Sequence, residues 1–252
     1  MHRITHKSKD YIYPTITFSL ILILWQVIVN IYDIPQYIMP SPLDILKVFF
    51  TDYQNLYVNT LVTLYEAALG FIVAIILALT IGILMDFIPM FKKCFYPIML
   101  VSQTIPTITI APLLIIWFGF DSLPKIIMVS MTCFFPVLVN FVDGIENINK
   151  DYINLFKTME ASKISTFIHL KFPMAIENLF SGLKISATYA FVAATVAQWL
   201  GGSIGLGVYM VRAKSAYALD KVFASTIIVV IFSLLFVLTI QIIKRLIVKH
   251  KQ

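Results

Sequence analysis

Long apolar segments dominate this sequence and limit the folds open to it. Of its 252 residues, 60% are apolar and 13% are charged, whereas a soluble domain averages about 45–50% and about 25%. Six segments reach roughly the twenty residues that a helix needs to cross a bilayer. They are residues 12–31, 60–85, 94–118, 125–142, 173–200 and 222–243. We therefore predict an all-α integral membrane protein with six transmembrane helices, in a single domain that spans residues 1–252.

The basic residues are distributed unevenly between the two sides of the predicted bundle. With six spans, both termini and the loops 86–93 and 143–171 share one side, and they hold 13 lysines and arginines against five on the other side. Short segments rich in Lys and Arg remain in the cytoplasm. The counts therefore predict a multi-pass protein of the cell membrane, embedded in lipid, with both termini cytoplasmic.

Several classes of function lack the residues that their chemistry requires. The net charge of +6 comes from residues that flank apolar segments without forming an aromatic-rich basic face, so no nucleic-acid partner is expected. Cys94 and Cys133 lie in apolar surroundings and the histidines are scattered, which predicts buried thiols, no metal site and no cofactor. No phosphate-binding loop of the G-x-x-x-x-G-K-[ST] type occurs. The G-x-S-x-G run at 201–205 has no histidine on its predicted side of the membrane, so no catalytic residue is assigned.

Polar residues are rare within the apolar segments. Residues 102–107 form the most polar patch in any span, and Pro97, Pro106 and Pro112 are predicted to break the same span. Membrane helices tolerate such prolines where a neighbour or a cavity satisfies the freed carbonyls. The patch fits either a pathway lining or hydrogen bonds between helices. Glu66, near the start of the second span, is interpreted as a solvated glutamate at the membrane surface.

A charged stretch of about residues 143–172 separates the fourth and fifth spans. Asp151 is a candidate N-cap for a first short helix, because its carboxylate can accept backbone N–H bonds. After a turn near Glu160, helical spacing predicts a second helix with one apolar stripe. The members of that stripe are Ile164, Phe167, Ile168 and Phe172. Pro173 lacks an N–H donor and is expected to break or restart the helix.

This stretch resembles the cytoplasmic EAA loop of permease subunits in binding-protein-dependent ABC importers. The family pattern reads Glu-Ala-Ala, three residues, Gly, nine residues, an apolar residue, one residue, Leu-Pro. Counting back from Pro173 puts Glu160 at the glycine position, with Leu170 and Phe172 at the apolar positions, whereas residues 154–156 read Asn-Leu-Phe. Because Glu160 replaces glycine, we expect its turn to adopt a somewhat different backbone shape. An ordinary solvated loop is the alternative.

Two other stretches are similar to the sulfonate, nitrate, taurine and thiamine-precursor branch of this family: Pro-Ser-Pro at 40–42 and the run from Trp199 to Met210. The resemblance implies the type I ABC importer permease fold. It also implies three partners, namely a separate ABC ATPase that hydrolyses ATP, an extracytoplasmic solute-binding protein and a second copy of the chain. The ATPase-coupling residues it implies are Lys157, Thr158, Met159, Glu160, Ala161, Ser162, Lys163 and Pro173. The candidate pathway-lining residues are Gln103, Thr104, Thr107, Gln198 and Trp199.

The solute stays open between two groups. The run from Gln198 to Met210 is most similar to permeases for the hydroxymethylpyrimidine precursor of thiamine, with sulfonate, taurine and nitrate permeases as near relatives. Apart from Lys184, and Lys125 at the first position of the fourth span, the predicted spans hold no basic residue to pair with an anion, whereas a neutral pyrimidine can stack and hydrogen-bond. Arg212 and Lys214 weaken this argument, because they could attract an anion at the outer mouth. An ion-coupled secondary transporter is the competing class, and the absence of paired acidic residues in the spans disfavours it.

Overall fold

The computed structural model describes residues 4–248, with side chains from Ile12 onward, and every regular element in that part of the chain is a helix. The helices are α1 (Ile4–Ile31), α2 (Pro42–Thr51), α3 (Tyr53–Phe87), α4 (Pro89–Ser102), α5 (Thr107–Phe118), α6 (Ser122–Glu146), α7 (Lys150–Thr158), α8 (Lys163–Thr166), α9 (Phe172–Leu200), α10 (Leu206–Ser215) and α11 (Leu219–Val248). A π-helical turn, Phe167–Lys171, joins α8 to α9. Arg3, Lys249 and Lys251, which contribute to the predicted orientation, lie outside the described residues.

Five described segments are long and apolar enough to cross a membrane. They are Ile12–Ile31, Tyr53–Phe87, Ser122–Glu146, Lys163–Leu200 and Leu219–Val248. The pair α4 and α5 passes the same test jointly, although the two helices meet at 98°. The predicted all-α membrane protein is confirmed, with six crossings when the bent pair counts as one.

The bend between α4 and α5 lies at only one of the three prolines predicted to break this span. Pro106 precedes α5 with an extended ψ of 121°, and its missing N–H leaves the preceding turn without a donor. Pro97 and Pro112 lie inside α4 and α5 instead, so the prediction of a break at each of them is wrong. Membrane helices accommodate such residues when neighbouring groups satisfy the freed carbonyls.

The described chain divides into two compact units. The smaller contains the described residues up to Val58 together with Tyr209–Ile227, and the larger contains Asn59–Val208 with the described residues from Ile228 onward. The two membrane-crossing helices with the most extensive mutual packing are α6 and α9. Both belong to the larger unit.

Small residues bring α6 and α9 into close contact in the larger unit. A Cβ on Gly182 would lie 2.5 Å from the carbonyl oxygen of Pro136, so the position accepts only glycine without movement. Ser186 Oγ donates to the Cys133 carbonyl across the same contact over 2.7 Å. Such residues are typical of membrane helix contacts, where close backbone approach replaces the hydrophobic effect. Cys133 is buried as predicted, whereas Cys94 is exposed because α4 buries none of its described residues.

In the smaller unit, Asp52 connects the corner between α2 and α3 to later helices. Its carboxylate accepts hydrogen bonds from Tyr209 Oη over 2.8 Å, Lys221 Nζ over 2.6 Å and Asn55 Nδ2 over 2.6 Å. Burial favours the neutral carboxyl, but the hydrogen bonds from Lys221, Tyr209 and Asn55 outweigh it, so the pKa of Asp52 lies below its ordinary value. The ionised form of Asp52 therefore stabilises the folded unit.

We expect Asp52→Asn to lower the stability of the purified protein near neutral pH by about 1–3 kcal/mol, since hydrogen bonds to a charged group are lost. A depressed folded-state pKa contributes stability above the unfolded pKa of about 3.9, and this contribution is lost as the pH falls through the folded value. Thermal unfolding of both proteins should thus differ at pH 7 and converge towards pH 3. A gap that stays constant over this range would contradict the account.

Candidate functional site

The charged stretch after α6 folds into a helical hairpin, defined here as α7, the turn Met159–Ser162, α8 and the π turn Phe167–Lys171. The side chain of Asn149 caps α7, since its Oδ1 accepts from the backbone N–H of Asp151 over 2.9 Å. The predicted cap, Asp151, lies instead in the first turn of the helix, where its negative charge favours the helix dipole. That prediction is wrong by two residues because Asn is as good a cap as Asp.

Glu160 ends the first helix of the hairpin in the left-handed conformation that glycine usually supplies. Its φ is 54°, its N–H donates to the Lys157 carbonyl over 3.0 Å, and the Ala161 N–H donates to the Phe156 carbonyl over 3.0 Å. These two bonds form a Schellman motif. The expected departure in backbone shape at Glu160 therefore receives no support, because this residue keeps the left-handed φ that a glycine would favour.

Glu160→Gly is expected to raise stability by about 1 kcal/mol, because a side chain in the left-handed region is sterically strained. For a chain of this size that gain corresponds to a rise of roughly 2–4 °C in the unfolding midpoint. The matched control is Met159→Gly, where φ is −82° and glycine only adds unfolded-state freedom. Thermal unfolding of the purified chain should move up for the first variant and down for the second, and a fall in both would contradict the assigned turn.

The second half of the hairpin is anchored to the end of α3. Lys171 Nζ pairs with Asp86 Oδ1 over 2.6 Å, and the Phe167 ring lies 5.4 Å from that of Phe87. The N–H of Phe172 reaches back to the Phe167 carbonyl, so the π turn leads into α9 without ending the helical path. Pro173, predicted to break or restart the helix, lies in the first turn of α9 directly after the π turn, and so accompanies a local change in helix geometry rather than a break.

The predicted apolar stripe divides between the interior and the surface. Phe167 is buried and Phe172 partly so, but Ile164 and Ile168 are exposed. Burial of the whole stripe is thus not observed, because α8 and the π turn contact the rest of the larger unit through one edge. The hairpin presents five large apolar side chains at its surface: Tyr152, Leu155, Met159, Ile164 and Ile168.

Basic groups accompany these apolar side chains. Lys157, Lys163 and Lys171 line a pocket of about 260 Å³ that Ala161 and Asp86 also border. Thr158 Oγ1 donates to the Leu155 carbonyl over 2.8 Å, and Ser162 Oγ accepts from the Ser165 N–H over 3.1 Å and so caps α8. An exposed surface that combines apolar and basic side chains is suited to contact with another protein.

A second feature is a pocket at the bend between α4 and α5, called the polar pocket here for the hydroxyls and the amide within its mainly apolar lining. It has a volume of about 460 Å³, and its polar lining comes from Ser102, Gln103, Thr107 and Thr132. Thr104, a third pathway candidate, is not among the lining residues, and its hydroxyl donates to the Val101 carbonyl over 2.7 Å. The structure thus brings two of the five predicted pathway residues, Gln103 and Thr107, to one cavity.

Gln198 and Trp199 lie elsewhere, at the end of α9. Trp199 is half-exposed, whereas Gln198 is 1% exposed and donates through Nε2 to Glu66 Oε2 over 2.7 Å. Glu66 is also 1% exposed, so its interpretation as a solvated glutamate is wrong. A buried carboxylate needs hydrogen-bond partners, and the one supplied by Gln198 is 132 positions away in sequence.

Lys125 is a second buried charged residue among those that the structure describes. The charge count places it with the five basic residues opposite the termini, yet it is 4% exposed. Its ammonium donates to the carbonyls of Phe120 over 2.5 Å and Asp121 over 2.7 Å, and it attracts the Glu66 carboxylate electrostatically. Its position at the very start of an apolar segment carried no signal that distinguishes a buried lysine from a flanking one.

The apolar crossings, the polar pocket between bent half-helices and the exposed hairpin define a membrane permease rather than a soluble enzyme or binding module. The chain belongs to the family of binding-protein-dependent transport system inner membrane components, whose model matches residues 70–251. It is a multi-pass membrane permease subunit of an ABC importer for a small solute, in the branch that the sequence resemblance indicated.

Several named permease proteins are similar to this chain. The chain is 34% identical to a probable ABC transporter permease protein of Haemophilus influenzae, over 88% of this chain and 90% of that one. It is 32% identical to the formylaminopyrimidine transport permease protein of Halalkalibacterium halodurans, over 95% of both chains. It is 30% identical to the putative aliphatic sulfonates transport permease protein of Bacillus subtilis, over 83% of this chain and 77% of that one.

Proposed function

We propose that this permease imports a neutral aminopyrimidine, the hydroxymethylpyrimidine precursor of thiamine. The observation that carries the proposal is the polar pocket at the α4–α5 bend, whose described lining residues offer hydroxyls, an amide and apolar surface but no charge. Such a lining suits a flat, neutral, hydrogen-bonding solute. The similarity to a formylaminopyrimidine transport permease along almost the whole chain supports the same solute class.

A sulfonate, taurine or nitrate importer is the second candidate, favoured by the similarity to the sulfonate permease. An anion desolvated in the membrane needs a cationic partner. Lys125 is buried, but its ammonium is engaged by two carbonyls and attracted by Glu66. The basic groups on which this alternative depends are therefore Lys184, exposed on α9, and Arg212 and Lys214 in the last turn of α10.

The hairpin is proposed to dock in a cleft of a separate ABC ATPase. Its five exposed apolar side chains would lose water on docking, which favours association by about 25 cal/mol for each Å² buried. Lys157, Lys163 and the turn Met159–Ser162 would then lie at the contact. ATP binding closes the ATPase dimer, draws two hairpins together and tilts the helices above them, so that the pathway opens alternately to each side.

A second copy of the chain is proposed to complete the pathway. The helix α4 buries none of its described residues, and it borders the polar pocket together with α5 and α6. Apposition of two such faces would enclose the solute path between two chains. An extracytoplasmic binding protein would deliver the solute at the outer end, where Trp199 is half-exposed.

The solute is tested by growth and uptake. A strain unable to synthesise hydroxymethylpyrimidine should require this gene for growth on a low external supply of that compound. Cells without the gene should lose uptake of the labelled pyrimidine and keep uptake of labelled taurine. Unchanged pyrimidine uptake together with lost taurine uptake would reject the pyrimidine and favour the second candidate.

Both termini are proposed to be cytoplasmic, on the basis of the distribution of basic residues. Two exposed residues would then lie on opposite sides of the membrane. They are Lys47, whose side chain is 71% exposed, and Met159, which is 68% exposed. In a variant that lacks Cys94 and Cys133, Lys47→Cys should react with an impermeant thiol reagent in intact cells, and Met159→Cys should react only after the membrane is opened. The reverse order of labelling would overturn the orientation.

A further inference from the structure

A buried hydrogen-bond network holds the outer glycine-rich loop, residues 201–207, in the larger unit. Three consecutive backbone N–H groups of this loop each meet a side-chain oxygen. Gly205 N donates to Asn59 Oδ1 over 2.7 Å, Leu206 N to Thr63 Oγ1 over 2.9 Å, and Gly207 N to Gln198 Oε1 over 2.9 Å. These amides precede and begin α10, where helical N–H groups have no partner of their own.

The acceptors come from two helices that are far apart in sequence. Asn59, Thr63 and Glu66 are spaced i, i+4 and i+7 on α3, so they share one face of that helix. Gln198 ends α9 and connects the two sets, because its oxygen accepts from Gly207 N while its nitrogen donates to Glu66. Thr63, Glu66 and Gln198 are each at most 1% exposed.

The network extends to the start of α6 as well. The side chain of Ser122 lies beside the Glu66 carboxylate, and the Lys125 ammonium provides the opposite charge. Close packing also restricts movement of the loop. A Cβ on Gly207 would lie 2.1 Å from the Thr195 carbonyl, and one on Gly205 would lie 2.4 Å from Gln198 Cδ. A fully satisfied buried network of this kind is rigid, and loss of any partner is costly.

The helix α9 leads from the hairpin to this network. With the π turn and α8, the helical path runs from Lys163 to Leu200, and α9 alone is about 40 Å long at 1.5 Å per residue. A movement imposed on the hairpin is therefore transmitted to Gln198, near the other end of the same helical path. The carboxamide of Gln198 is the group through which that movement reaches both the loop and α3.

We propose that Asn59, Thr63, Glu66 and Gln198 are positioning residues for transport, which join the outer loop, α3, α9 and the start of α6 into one block that moves as a unit. The inference rests on the proposed ATP-driven transport for its uptake readout but not for its amide-exchange readout. A block of this kind transmits the full displacement of α9 to the outer end of the pathway. A loosened block lets α9 move while the loop stays behind.

The test exchanges the two side chains of the buried pair Glu66 and Gln198. In the complex with its ATPase, Gln198→Leu should raise hydrogen exchange of the Gly207 amide by about tenfold or more, since its acceptor is lost. Uptake of labelled hydroxymethylpyrimidine per ATP hydrolysed should fall by about tenfold, because a local opening of this size uncouples the loop from α9. Gln198→Glu alone should behave similarly, because it places two carboxylates together. The swap Glu66→Gln with Gln198→Glu restores the donor and the acceptor, and both readouts should return to within about twofold of wild type.

Gln241→Leu, the same change outside the network, is the matched control and should alter neither readout. Should Gln198→Leu fail to assemble, Thr63→Val replaces it, because it keeps Gln198 and removes the hydroxyl that accepts from Leu206 N and donates to Gln198 Oε1. Wild-type exchange in these variants, or a swap as defective as Gln198→Glu, would overturn the proposal. If the wild type takes up no pyrimidine, the proposed solute fails on its own, and the uptake readout is repeated with labelled taurine while amide exchange decides the network.

Discussion

Met159→Arg should abolish association with the ATPase and, with it, solute uptake. Met159 is 68% exposed and lies at the tip of the hairpin, next to the Schellman turn at Glu160. In a packed cleft, an added guanidinium without a partner costs about 3–5 kcal/mol, which corresponds to a loss of at least about a hundredfold in affinity. The measurement is the amount of ATPase retained by the purified permease, together with uptake in cells.

Met90→Arg is the matched control for that change. Met90 is 70% exposed and lies in the first turn of α4, on the proposed cytoplasmic side but outside the hairpin. The same substitution there should leave the ATPase bound. Equal loss of ATPase from both variants, or full retention by Met159→Arg, would show that the hairpin tip is not the docking contact.

Gly182→Ile should have the largest effect on folding of any single substitution considered. A Cβ at this position would already lie 2.5 Å from the Pro136 carbonyl oxygen and 2.9 Å from Asn140 Cβ. The larger side chain must therefore force α6 away from α9. We expect a loss of at least about 3 kcal/mol, at the upper end of the range for overpacking, because backbone as well as side chains must move.

The neighbouring Ser181→Ile provides the comparison for this substitution. Ser181 is exposed, and its hydroxyl only donates to the Glu177 carbonyl within the same helix. Its replacement should leave the unfolding midpoint of the detergent-purified protein nearly unchanged and the yield of folded protein intact. Equal midpoints for the two variants would mean that the α6–α9 contact is not close-packed at Gly182.

The fold class could be predicted from the sequence because a membrane span is recognised from the length and hydropathy of one continuous segment. Apolar length marks each crossing, and the spacing of the EAA loop that this stretch resembles, counted back from Pro173, places the turn at Glu160, where the structure has it. The error at the cap of α7 is of a different kind. Asn149 and Asp151 are both good caps two residues apart, and only the observed hydrogen bond from the Asp151 N–H selects Asn149.

The buried polar network could not be predicted, because its partners are distant in the chain. Glu66, near the start of an apolar span, is equally compatible with a solvated or a buried carboxylate until Gln198 and Lys125 are placed beside it. Burial without those partners would cost several kcal/mol. A usable signal was present in the spacing of Asn59, Thr63 and Glu66 along one helical face, which indicates a polar stripe facing protein rather than lipid.

The predicted pathway residues do not all lie at one site, and the reason is similar. Gln103 and Thr107 flank the break at Pro106, so local sequence places them together at the bend. Gln198 has the same kind of side chain, but its amide is used within the buried network. Residue type therefore identified candidate hydrogen-bonding groups, whereas the packing of α9 against α3 decides which of them remains available to a solute.

The energy source is the most direct test of the account. The purified complex of permease, ATPase and binding protein is placed in liposomes, and uptake of labelled hydroxymethylpyrimidine is measured with ATP or with a proton or sodium gradient. We predict uptake only when ATP is supplied on the side of the hairpin, with no uptake from either gradient alone. Uptake driven by an ion gradient in the absence of ATP would contradict the assignment of this chain to an ATP-driven importer.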